Sequence, residues 1–304
     1  MGSRGQRLVG GGIAALMVVA AIVFVVTRPD DTPRAAAAVT TTSTTTTSTT
    51  TTAPLPPLPV DPIHTQVAQA VLPTTHVYAQ PPAGAVLDPR VTAAGATLAT
   101  MVPSTSPERA GAPALPTIEH PIQGRRATPD GWDFDNPTPW GNRLTFMITE
   151  NHGDWLRVEV PVRPNGTTGW IRAADVDRST IDTHVEIDVS DRTLKAWSGT
   201  NLIVETKVVV GKDSTPTPRG RLYLTDFEEK YRGSAYGPWV LPLSGYSQAL
   251  DEFSGGVPVI AMHGTNRPEL IGTAASNGCI RMPDDVIQRL HDTLFFGTPV
   301  DIRD

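Results

Sequence analysis

The sequence predicts a mainly β protein with one or two short helices, and three observations predict it. First, the chain from about residue 75 breaks into short apolar runs punctuated by Asn-Gly, Ser-Asp and Gly-Thr-Asn turns. Second, one segment with helical spacing stands out: Asp284–Leu294 places apolar residues at 286, 287, 290 and 294 behind an acidic start. Third, the chain has 29 Pro, well above the usual share and most of them in the first half, so that half cannot all be compact. The expected division is 1–28 cytoplasmic N-terminus and transmembrane anchor, 29–74 disordered linker, 75–180 small β-barrel domain and 181–304 larger β domain.

The anchor rests on Leu8–Val26, an uncharged run of 19 residues behind Arg4 and Arg7. At about 1.5 Å per residue it spans roughly 28 Å, close to a bilayer core. The two arginines stay in the cytoplasm by the positive-inside rule, which sends the remainder outward. Ala35–Ala38 leaves a cleaved signal peptide as the rival. Both place the bulk of the chain outside the cytoplasm. The tract TTTSTTTTSTTTT at 40–52 buries nothing and cannot offset its ordering entropy. Pro54, Pro56, Pro57 and Pro59 then stiffen it.

In 75–180, strands are expected at Val77-Tyr78, Arg143–Thr149, Asp154–Val160 and Gly169–Arg172, with 88–138 as an irregular insertion. From Ile181, HVEIDVS, TLKAWSG and LIVETKVVVG form successive hairpins. Val208–Val210 reads as a strand buried on both faces, and Leu222–Leu224, Val257–Met262 and Thr298–Ile302 add more. Residues 226–256, carrying Tyr231, Tyr236, Trp239 and Tyr246, read as a long insertion.

The net charge is −6, and from residue 181 onward 12 Lys+Arg face 17 Asp+Glu, so no basic nucleic-acid surface is expected. The chain has no His-Glu-x-x-His, no Cys cluster and no phosphate-binding glycine pattern, so neither metal nor cofactor is expected. There is one cysteine, Cys279, so no internal disulfide can form. An exported lone thiol is either incidental or a working nucleophile. His263 ends an apolar strand 16 residues before it, and Gly278 precedes it. A thiol is weakly ionised at neutral pH, so acyl transfer needs a base beside it, which a histidine on a neighbouring strand supplies. A glycine next to the nucleophile lets backbone N–H groups approach an oxyanion.

The segment Met262-His263-Gly264-Thr265 … Ser276-Asn277-Gly278-Cys279-Ile280-Arg281-Met282 resembles the signature of the L,D-transpeptidase (YkuD-type) catalytic domain. Thr215-Pro216-Thr217-Pro218-Arg219-Gly220 resembles that family's turn before a strand. The resemblance covers roughly 181–304 and implies a catalytic β-sandwich. Upstream, GDWLRVEVPVRPNGTTGWIRAADV resembles a bacterial SH3-like wall-associated module.

The resemblance implies the following roles. Cys279 attacks the third residue of a peptidoglycan stem peptide and expels D-alanine. His263 accepts the thiol proton and later activates the acceptor amine of another stem's meso-diaminopimelate. The Gly264 carbonyl orients the imidazole. The N–H groups of Asn277, Gly278 and Cys279 form the oxyanion hole. Arg281, Ser276, Tyr236 and Tyr246 are candidate substrate contacts, the tyrosines from a lid over residues 226–256. Asn277 stands where the family usually has His. Carbapenems are expected to acylate Cys279. An L,D-carboxypeptidase, with water replacing the amine, and a non-catalytic wall-binding protein stay open beside the transferase. The partners expected are donor and acceptor stem peptides and the membrane; oligomeric state is left open.

Overall fold

A computed structural model describes residues 63–91 and 125–304. The Leu8–Val26 run, the Thr-rich tract and most of 88–138 therefore lie outside the described residues. No helix among the described residues is long and apolar enough to cross a membrane.

The described residues between 63 and 181 include an eight-stranded sheet. Its strands are β1 (Thr65–Ala70), β2 (Thr74–Tyr78), β3 (Arg125–Thr128), β4 (Gly131–Asp135), β5 (Thr145–Asn151), β6 (Trp155–Glu159), β7 (Thr168–Arg172) and β8 (Val176–Ile181). They run in the order β3-β4-β2-β7-β6-β5-β1-β8. Alternation drives the register: in β2, Thr75 and Val77 are buried while their neighbours are not. The inner face gathers Val77, Phe134, Phe146, Leu156, Val158 and Ile171. Phe134 and Phe146 meet edge to face at 5.5 Å.

Two expectations are corrected here. β1 lies inside the segment assigned to the linker, so the domain begins before residue 75. β1 pairs with β5 on one side and β8 on the other, burying Val67, Ala68 and Ala70. It escaped notice because Ala and Gln give weak strand propensity; its two neighbours, distant in sequence, hold it. Likewise β3 and β4 pair as a hairpin within the expected irregular insertion, and β4 pairs onward with β2.

The remaining strands are β9 (Thr183–Asp188), β10 (Thr193–Ser198), β11 (Asn201–Lys207), β12 (Val210–Gly211), β13 (Gly220–Tyr223), β14 (Glu228–Glu229), β15 (Trp239–Tyr246), β16 (Val259–His263), β17 (Ala274–Ser276), β18 (Ile280–Arg281) and β19 (Pro299–Arg303). The helix α1 (Asp284–Thr293) precedes β19. One sheet runs β11-β10-β9-β19-β13 and another β14-β15-β16-β18, with β12 and β17 paired separately. One apolar core joins both sheets and the helix, through Val185, Ile187, Leu241, Ile260, Ile287 and Leu290 among others. The three hairpin strands β9–β11 and the helix fall where the sequence places them. Val208, Val209 and Val210 are at most 1% exposed, but the single strand expected there is corrected: β11 ends at Lys207, Val209 makes an isolated bridge to Arg281, and Val210 opens β12.

β15 overturns a third expectation. Residues 239–246 were assigned to a lid, yet seven of these eight are buried in a strand through the domain interior. Pro242 and Gly245 disguise it, and its ladder with β16 shifts register between Pro242 and Tyr246 to accommodate them.

The N-terminal sheet and the sheets of β9–β19 belong to one compact unit. At their junction the Ser244 hydroxyl donates to the Glu159 carboxylate at 2.7 Å, and the Tyr223 hydroxyl to the Glu159 carbonyl at 3.2 Å. Burial pushes the Glu159 carboxyl up to about 7.

The pairing of β1 on both sides makes a truncation test decisive. A fragment of residues 75–304 should melt about 10 °C or more below a fragment of 63–304. Removing β1 loses two hydrogen-bonded ladders and its buried side chains, on the order of 5 kcal/mol. Thermal unfolding followed by circular dichroism measures this; equal melting temperatures would show that β1 is dispensable.

Candidate active site

The site is built on the parallel pairing of β16 with β18, in which Met262 lies opposite Ile280 and His263 opposite Arg281. Side chains alternate with a period of two, so Cys279 and Arg281 share a face with Ala261 and His263. Met262 and Ile280, pointing the other way, are fully buried and fix the pair to the core. The Cys279 thiol lies 3.9 Å from the carbonyl oxygen of Val259. His263 and Cys279 open onto one cavity of about 150 Å³.

The geometry also sets the imidazole's tautomer. His263 Nδ1 sits 2.7 Å from the Gly264 carbonyl oxygen. A carbonyl can only accept, so Nδ1 carries the hydrogen and Nε2 keeps its lone pair. Burial lowers the His263 pKa to about 4, with the Gly264 carbonyl opposing and Arg281 adding to the shift. Burial also pushes the Cys279 thiol up, partly offset by the Ala261 backbone and Arg281. At neutral pH the resting pair is a neutral thiol and a neutral base, not an ion pair.

Gly264 has a second constraint. A Cβ there would collide with Asp284 Oδ1 and lie 2.8 Å from Gly237 Cα. Asp284 in turn accepts the Thr265 N–H at 3.1 Å. The turn after His263 is thus wedged between the first turn of α1 and Gly237. Neither Gly237 nor Asp284 was singled out from the sequence for this work.

The loop before Cys279 is held from two sides. The Ser276 hydroxyl donates to the Cys279 carbonyl at 2.6 Å and accepts the Gly278 N–H at 3.0 Å. Ser276 is 0% exposed, so it is a brace for the loop and not a substrate contact. Because its N–H is engaged by Ser276, Gly278 is not a free oxyanion donor in this arrangement, which corrects the expected set of three. No acceptor within the described residues takes the Asn277 or Cys279 N–H. Gly278 has φ +117, and a Cβ would lie 2.9 Å from Ile260; glycine is needed for conformation and space.

From the other side, Thr217 donates to the Gly278 carbonyl at 2.9 Å while accepting the Gly211 N–H at 2.8 Å. Thr215 donates to the Ser276 carbonyl at 3.2 Å. These two threonines were legible only as part of a turn; their bracing depends on a contact 61 residues away in sequence.

Tyr236, Asn277 and Arg281 line the cavity with Ala235, Leu250, Phe253, Asn266 and Arg267. The Tyr236 ring lies 5.0 Å from that of His263. Arg281 makes no ion pair with Asp284 or Asp285, and its Nε is buried without a hydrogen-bond partner. Among the described residues no carboxylate lines the cavity, and since Arg267 is paired with Glu269 at 3.0 Å, Arg281 is the cavity guanidinium without an ion pair. Tyr246 is elsewhere: it is 1% exposed and its hydroxyl donates to the Pro161 carbonyl at 2.8 Å. The expectation that it covers substrate is corrected, because β15 buries it against the N-terminal sheet.

The lowered His263 pKa has a signed consequence for stability. The unfolded chain binds this proton below about 6.5, whereas the folded chain takes it up only near 4. The contribution is full above 6.5 and lost as pH falls from 6.5 towards 4, on the order of 3 kcal/mol. His263→Asn should remove that slope. Urea unfolding of both proteins across pH 4 to 7 checks it; parallel curves would refute the assignment.

The YkuD L,D-transpeptidase catalytic domain model matches residues 182–302. YkuD of Bacillus licheniformis is 31% identical over 123 residues, covering 40% of this chain and 67% of that protein. YkuD of Bacillus subtilis is 30% identical over 127 residues, covering 42% and 70%. Both bear L,D-transpeptidase in their names. The solved catalytic domain of the E. faecium L,D-transpeptidase is 24% identical, covers 40% of this chain and 96% of its own, and superposes with a TM-score of 0.29. With the match spanning both the His263 turn and the Cys279 loop, the chain belongs to the L,D-transpeptidase family of the YkuD type.

Proposed function

We propose that this protein is a peptidoglycan L,D-transpeptidase that works through an acyl-enzyme on Cys279. The observation that carries the reading is the shared cavity of Cys279 and a His263 whose Nε2 is held unprotonated. The donor is a stem peptide ending in D-alanine after its third residue. Its third-residue carbonyl is attacked by the Cys279 sulfur as His263 Nε2 takes the thiol proton. Collapse of the tetrahedral intermediate breaks the bond to D-alanine, and the imidazolium returns the proton to the departing amine. The acceptor, the side-chain amine of another stem's meso-diaminopimelate, then attacks the thioester and gives its proton to His263. The product joins two third-position residues and restores the thiol.

The surroundings support this course. The Asn277 and Cys279 N–H groups are the available donors for the oxyanion. Arg281, unpaired in the cavity, offers a fork to a stem carboxylate. Tyr236, beside His263, covers the site and excludes water, which favours the amine over hydrolysis. The resting neutral pair means that the thiol is deprotonated as it attacks, not before.

The location belongs to the same proposal. The Leu8–Val26 run anchors the chain, and the two sheet domains lie on the cell-wall side. In the same proposal the SH3-like domain takes in β1, Thr65–Ala70, and the other boundaries are those expected from the sequence.

Incubating the full chain with a carbapenem should give one covalent adduct by intact mass. Cys279→Ala should give none and lose at least about a thousandfold in turnover of a stem tetrapeptide. An undiminished Cys279→Ala would reject the nucleophile. Product analysis with an acceptor peptide should show a joined dimer; hydrolysis unaffected by acceptor would assign a carboxypeptidase instead.

A further inference from the structure

The cavity wall opposite the Cys279 loop is a flap over residues 247–258. Leu250, Phe253 and Pro258 from it face the cavity. At its tip Phe253 and Gly256 exchange N–H···O bonds of 2.8 and 3.1 Å across Ser254 and Gly255. Both of those residues have positive φ, 54° and 80°, as a tight two-residue hairpin turn requires. At its base the Ser247 N–H donates to the Pro258 carbonyl at 2.8 Å. The Ser247 hydroxyl accepts the Ala249 and Leu250 N–H groups at 3.3 and 3.2 Å.

The carbonyls of that base are held by the other domain. On the loop between β6 and β7, Arg163 Nη2 donates to the Ser247 carbonyl at 3.0 Å and to the Leu250 carbonyl at 2.7 Å. Within the described residues no other donor reaches either oxygen. Asn165 on the same loop brackets Tyr246, donating to its carbonyl and accepting its N–H, each at 2.9 Å. The Arg163 guanidinium also lies 5.8 Å from the Tyr246 ring centroid. Charge-assisted bonds from one nitrogen to two carbonyls are among the stronger contacts a loop can make. They end on Leu250, the residue at which the flap turns into the cavity.

We propose that Arg163 is a positioning residue for donor binding: from the N-terminal sheet it clamps the 247–258 flap so that Leu250 and Phe253 are in place to meet the donor stem. The inference rests on the reading of the cavity as the donor site. The N-terminal domain thereby completes the cleft, although it contributes no side chain to the reacting atoms. A clamp on the wall acts on binding and leaves the His263–Cys279 chemistry untouched, so its loss falls on KM and spares kcat.

The test uses the full chain and its Arg163→Ala and Arg163→Lys variants, with two readouts. Amide hydrogen exchange over residues 247–258 should quicken about tenfold in Arg163→Ala. KM for a stem tetrapeptide should rise about tenfold with kcat within about twofold of the parent. Arg163→Lys, whose ammonium can still donate to both carbonyls, should recover part of both changes. Unchanged exchange would show that no clamp exists. Faster exchange with unchanged KM, or a fall in kcat alone, would also overturn the proposal. Where Arg163→Ala does not fold, Arg163→Gln is read in the same way. A parent chain inert towards every stem peptide would instead refute the donor-site reading, while exchange still decides whether Arg163 holds the flap.

Discussion

The two-residue pairing of β18 against β16 is the contact on which the site depends. It sets His263 opposite Arg281 and brings Cys279 onto the same face. A ladder this short could not hold its register unaided. Met262 and Ile280 bury their side chains behind it, and Val209 bonds Arg281 through both backbone groups at 2.8 and 3.0 Å. Ser276 and Thr217 then fix the loop that leads in. Cys279 is consequently positioned by a hydrogen-bonded frame.

Burial governs the chemistry of that frame. It disfavours both the thiolate and the imidazolium, so the resting charges are suppressed together. Arg281 lowers both pKa values, which favours the thiolate and opposes the imidazolium. The Gly264 carbonyl replaces the carboxylate that orients histidine in many triads. A neutral orienting group costs less to bury than an ion, which suits a histidine 2% exposed.

The two domains meet through groups that sequence spacing cannot connect. Glu159 and Pro161 on one side face Ser244 and Tyr246 on the other. A tyrosine that looks like a mobile lid residue is instead a core residue of the junction. Its removal from the lid leaves Tyr236 and the 247–258 flap, with Leu250 and Phe253, lining the cavity.

By itself the sequence determined the β class, the hairpin succession β9–β11, the helix at 284–293, and the His263 and Cys279 pair. These are local signals: alternation, helical spacing, turn residues and one contiguous motif. Only the tertiary structure decided that β1 joins the N-terminal sheet, that β15 runs through the core, and that Tyr246 leaves the site. It also decided that Ser276 and Thr217 brace the cysteine loop while the Gly278 N–H is engaged. The reason is that each of these depends on which partner arrives from a distant part of the chain. A weak strand becomes a strand only when two neighbours hydrogen-bond it, and a hydroxyl becomes a brace only when a carbonyl meets it.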